Sequence, residues 1–77
     1  MPKVMLLNYR LMHKVLLKLN FKKIRQKGSH VFYRHDDGRT TTVPNHKGQD
    51  LAKPLIRAIL SDIEISVNEL VEIVNNL

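Results

Sequence analysis

Residues 30–44 read HVFYRHDDGRTTTVP. Two runs of β-branched and aromatic residues, His30 to Arg34 and Thr40 to Val43, flank Asp36-Asp37-Gly38, and an Asp-Gly pair between two extended runs predicts a hairpin. Pro44 ends the second run, because proline has no N–H to donate to a ladder. Immediately upstream, Gly28-Ser29 marks a second turn. The segment Lys22 to Lys27 alternates imperfectly, yet its place before that turn predicts a strand pairing with the first run. The centre of the chain is therefore expected to be three antiparallel strands.

Helical spacing brackets this sheet. Asn8 can cap a helix through its side-chain oxygen, and Leu11, Met12, Val15, Leu16 and Leu19 then recur on one face, which predicts a helix from about Tyr9 to Leu19. Arg10, His13, Lys14 and Lys18 fall on the opposite face, so His13 is expected to be solvated. Asn20 tolerates the left-handed conformation that ends helices. After the polar loop Asn45 to Asp50, Leu51, Leu55, Ile59 and Leu60 resume helical spacing, and Pro54 fits only a first turn, so a second helix is expected from about Pro54 to Ser61. Ser66-Val67-Asn68-Glu69 has the form of a capping box and predicts a last helix from Val67 to about Asn76, with Leu70, Val71, Val74 and Leu77 as its apolar stripe. The fold class is α+β, with helices on one face of the sheet and the other face partly open.

Seventy-seven residues suffice for one domain, expected over residues 1–77, and 43% apolar residues with four aromatics leave no room for a deep cavity around a large cofactor. The chain has no cysteine, so neither disulfides nor thiolate metal sites hold it, which suits a reducing cytoplasm. The run Val4-Met5-Leu6-Leu7 is too short to span a membrane, and no membrane partner is expected. The net charge is +6, with all thirteen Lys and Arg at or before Arg57 and four of the seven acids after it. Such a field attracts polyanions, nucleic acid first among them.

Against that background the stretch RQKGSH, residues 25–30, stands out. His30 follows a turn and has Arg25 and Lys27 close before it, and nearby cations favour the neutral form of a histidine. A neutral imidazole can accept a proton, as a general base must. In an extended segment His30, Phe32 and Arg34 point one way and Val31, Tyr33 and His35 the other. Polarity does not decide which side is the core, since Phe32 argues for one and Val31 with Tyr33 for the other. His35 is expected to flank the turn, and His46 beside Lys47 either meets a phosphate or is simply exposed. No histidine pair has metal-ligand spacing, so no metal and no other cofactor are expected.

Taken in order, Asn20-Phe21, Arg25 to His30, Thr42-Val43-Pro44-Asn45-His46 and Leu55 to Leu60 resemble the HicA family of bacterial and archaeal toxins, also called the YcfA type. The resemblance covers about Pro2 to Leu70, and Gly-Ser-His is its most specific element. It departs from the family's habit at Asn20 in place of glycine, Val31 in place of a second histidine, and Pro54-Leu55-Ile56 in place of Gly-Thr-Leu. The resemblance implies a fold similar to the double-stranded-RNA-binding domain, ribonuclease activity on messenger RNA, and a HicB antitoxin as protein partner. It places the active histidine at His30.

Together these readings make the protein an expected metal-independent endoribonuclease toxin with His30 as catalytic base. Lys22, Arg25, Lys27, Ser29, His46 and Lys47 are the expected RNA contacts, and the chain is expected to form no oligomer of its own. The alternative is a non-catalytic RNA-binding module of the same fold, which would need no histidine.

Overall fold

The computed structural model describes residues 5–77. Pro2, where the family resemblance begins, and Val4 of the apolar run lie outside them. The order is α1 (Tyr9–Lys18), β1 (Lys22–Lys27), β2 (His30–Arg34), β3 (Thr40–Pro44), α2 (Lys53–Ile63) and α3 (Val67–Asn75). The three strands form one antiparallel sheet in the order β1-β2-β3. This is the helix, three-stranded sheet and two helices that the sequence predicts.

The strand register explains what alternation alone left ambiguous. Lys27 pairs with His30, Gln26 with Val31 and Arg25 with Phe32, after which the register shifts so that Lys23 meets Tyr33 and Lys22 meets Arg34. Ile24 is the extra residue, a β-bulge, and it is exposed. The imperfect alternation of Lys22 to Lys27 is this bulge. Gly28 has φ 59° and Ser29 has no positive φ, the pattern of a two-residue hairpin turn with glycine at its first central position. Pro44 lies inside the last strand position, opposite His30, on the sheet's outer edge where its missing N–H leaves no gap.

Val31, Tyr33 and Val43 face the helices and are fully buried, so Val31 and Tyr33 lie on the core side and Phe32 does not. They meet Met12, Val15 and Leu16 from α1, Ile56, Ile59, Leu60 and Ile63 from α2, and Leu70 from α3. Thr41, the buried polar side chain of that face, donates to Asp62 Oδ2 at 3.0 Å. Every residue of β1 is exposed, because this strand overhangs the helical layer and is held by β2 alone.

The ends of the helices follow their caps. Asn8 accepts from the Leu11 N–H at 2.9 Å, and Asn20 leaves α1 with φ 69°. Ser66 and Glu69 form the predicted capping box. Helix α2 differs from expectation, starting at Lys53 and running on to Ile63, where Glu64 takes φ 60°. Two forces favour the extra turn: Ile63 is fully buried, and the Arg39 guanidinium donates to the Ile63 carbonyl at the helix end. At the chain's end Leu77 is half exposed and does not complete the α3 stripe, and Ile73 packs against the core in its place.

Candidate functional site

The sequence-predicted residues separate into three places. At the first, His30, Arg25 and Lys27 come together with Phe32 and Thr42 around a surface cavity of about 330 Å³ on the open face of the sheet. The tight Gly28-Ser29 turn produces this grouping, because it sets Lys27 directly opposite His30 and puts Arg25 opposite Phe32. Thr42 completes the row from β3. The Arg25 guanidinium lies 5.4 Å from the centre of the Phe32 ring, a cation–π contact. His30 is exposed, and among the described residues no side chain holds its ring by a hydrogen bond. The cavity lining carries three basic or imidazole side chains and no carboxylate.

The second place adjoins the first around the end of the sheet. The Asn45 N–H donates to the Ser29 carbonyl at 2.6 Å, which binds the loop after β3 to the turn that precedes His30. Ser29 is half-buried there. His46 and Lys47 are exposed and share a cavity of about 260 Å³ with Asn8, Tyr9, Arg10, Asn45 and Gly48. The start of α1 reaches this loop because the Leu51 N–H donates to the Leu7 carbonyl at 2.6 Å. Arg10 thus joins His46 and Lys47, a neighbour that spacing did not reveal.

Lys22 stands apart. It lies four positions before a residue paired with His30's end of the sheet once the bulge is allowed for, roughly 13 Å along the strand, and its ammonium is 3.7 Å from Asp36. The structure does not bring it to His30.

His13 corrects the expectation of a solvated residue. It is half-buried, and its Nδ1 lies 2.6 Å from the Tyr33 hydroxyl, which in turn lies 2.7 Å from the Tyr9 hydroxyl. With the proton of a neutral His13 on Nε2, a single chain satisfies the groups: Tyr9 donates to Tyr33, and Tyr33 donates to His13 Nδ1. Burial, then the charge of Lys23, holds His13 below its ordinary histidine value. Burial above all, with the Tyr9 bond, pushes the Tyr33 phenol well above its own. His35 flanks its turn as expected, its Nδ1 accepting from the Asp37 N–H at 3.0 Å.

Phe32 and Thr42 are the members of the His30 cavity that sequence reasoning missed. The signal was present: a two-residue turn at Gly28-Ser29 fixes the pairing of Arg25 with Phe32. Among the described residues no three His, Cys, Asp or Glu side chains gather in one place. No helix among them is long and apolar enough to cross a membrane.

The family model described as "HicA toxin of bacterial toxin-antitoxin" matches residues 9–65. No curated protein matches the chain.

Proposed function

The chain belongs to the HicA toxin family of bacterial toxin-antitoxin systems, and on that premise we propose that it is an endoribonuclease that cleaves messenger RNA in the cytoplasm with His30 as general base. The observation that carries this reading is His30 itself: exposed, unengaged by other side chains among the described residues, and sharing an acid-free cavity with Arg25 and Lys27. An imidazole that no neighbour occupies is free to take a proton from substrate.

In this mechanism neutral His30 removes the proton of a ribose 2′-hydroxyl. The 2′-oxygen attacks the adjacent phosphorus, the bond from phosphorus to the 5′-oxygen breaks, and that oxygen leaves with a proton drawn from solvent. The products are a 2′,3′-cyclic phosphate and a 5′-hydroxyl. Lys27, opposite His30 in the ladder, and Arg25 offset the negative charge that builds on the phosphoryl oxygens. General-base action contributes roughly 10² to 10⁴ in rate, so a single histidine with cationic support makes a modest nuclease. His46, Lys47 and Arg10 extend the basic surface around the sheet end, next to the Ser29 turn, to hold the phosphates of the flanking chain.

A HicB-type antitoxin is the protein partner of this reading. It would neutralise the toxin by covering the basic face and His30 with an acidic or shape-matched surface.

The test is incubation of the purified protein with a long single-stranded RNA in the presence of chelator, against the same RNA with 2′-deoxy substitution. Cleavage of the ribose strand alone, leaving cyclic phosphate ends, is expected. Intact RNA in the presence of the folded protein would leave the non-catalytic RNA-binding module as the function.

A further inference from the structure

The Phe32 side chain takes no part in the buried core. Of the four aromatic residues, Phe21 and Tyr33 are buried in the core and Tyr9 packs against it, whereas Phe32 belongs to neither group. It sits half-exposed on the open face, two residues from His30 on the same strand and therefore about 7 Å along the same side of the sheet. Arg25 lies against its ring, and Lys27, His30 and Thr42 line the same cavity.

We infer that Phe32 and Arg25 form a stacking platform for one unpaired nucleobase beside the linkage that His30 cleaves, so that the RNA must be single-stranded at the cut. The inference rests on the nuclease reading for its position and on the platform for its chemistry. A flat guanidinium held on an aromatic ring presents a surface on which bases of any identity stack, and unpaired bases in loops and single strands are the ones that can reach such a surface. A base within a duplex is stacked on both sides and does not offer its face. Charge complementarity names the occupant further: Arg25 and Lys27 stand opposite Phe32 and His30 in the ladder, Arg34 follows on the same side of β2, and no acidic residue lies within the three strands. The open sheet thus takes a bare strand, in contrast to the duplex that a double-stranded-RNA-binding fold suggests.

Binding is measured with the His30→Ala protein, so that no RNA is cut, and with short oligoribonucleotides carrying one 2-aminopurine moved along the strand. Quenching of the fluorophore at one position is expected. Phe32→Ala and Phe32→Leu in that background should weaken single-strand affinity by roughly five- to hundredfold, while Phe32→Tyr preserves it, and affinity for a matched duplex should not depend on residue 32. Thermal unfolding confirms that the variants are folded, which the position of Phe32 outside the core favours. Equal affinity of the Ala, Leu and Tyr variants for the single strand, or no quenching at any position, would overturn the platform. Cleavage by the chain with His30 intact is scored separately: stacking without cleavage removes the nuclease reading and leaves the base site, and cleavage without any dependence on Phe32 does the reverse.

Discussion

The two faces of β2 divide the work of the molecule between alternate residues. Val31 and Tyr33 point into the helices, where Tyr33 is fully buried and its hydroxyl is engaged by Tyr9 and His13. His30, Phe32 and Arg34 point outward into a basic face. Each face sets an aromatic residue of β2 near a histidine, Tyr33 against His13 of α1 and Phe32 beside His30 of β2 itself, and the chemistry differs because one pair is closed by its neighbours while the other is left open. His13 is committed to a hydrogen bond and tuned by burial. Among the described residues no side chain bonds to His30, and its ring faces the open cavity. A histidine's type therefore says little about its role, and the number of its protein neighbours says much.

The comparison can be broken most sharply at adjacent positions. Tyr33→Ala should destabilise the fold by about 3–5 kcal/mol, enough to unfold much of a domain this small. Phe32→Ala, one residue away on the open face, should cost less than about 1 kcal/mol, read as the denaturant midpoint of each variant. Equal losses would mean that the face assignment is wrong. Next in size, Tyr33→Phe removes only the shared hydroxyl and leaves two polar groups without their partner, so a loss of about 1–3 kcal/mol in the same measurement is expected.

On the open face, Lys27→Ala should slow cleavage by about tenfold or more, because Lys27 pairs with His30 and in the proposed mechanism offsets the developing charge. Lys22→Ala should change it less than about threefold, since its ammonium lies near Asp36 at the far end of β1. Single-turnover rates on one RNA would compare them. A larger effect at Lys22 would relocate the catalytic end of the sheet.

The smallest effect is a pH dependence on the closed face. Burial, followed by the charge of Lys23, holds His13 in the folded protein below its unfolded value, so the unfolded chain binds protons first as the pH falls. Stability contributed by neutral His13 is present above about pH 6.5 and declines as the pH drops below it. Asp37 is also held low, chiefly by the Arg39 backbone N–H, but a carboxylate acts in a more acidic window. The unfolding midpoint should therefore fall between pH 7 and pH 5, and His13→Gln should flatten that decline. An unchanged slope in the variant would remove His13 from the account.

How much of this was legible beforehand depended on whether a residue's neighbours were local. The hairpin at Asp36-Asp37-Gly38, the capping box at Ser66 and the left-handed Asn20 are written in short-range chemistry, and each is legible in the sequence. The face of β2 was not, because Phe32, Val31 and Tyr33 are all apolar and only the helices above the sheet choose between them. His13 was misplaced for the same reason: on a helical projection it falls among Arg10, Lys14 and Lys18, and its partner hydroxyl is twenty residues away. The last turn of α2 carries no glycine or other stop signal at Glu64. It is held by a core position for Ile63 and by Arg39 from a distant turn.

The measurement that tests the division between the faces most directly sets His30→Ala beside His13→Ala, with unfolding midpoint and RNA cleavage recorded for both. The account predicts that His30→Ala melts like the parent and loses cleavage by at least about a hundredfold, while His13→Ala melts lower and still cleaves wherever it is folded. Full cleavage by a folded His30→Ala protein would contradict it.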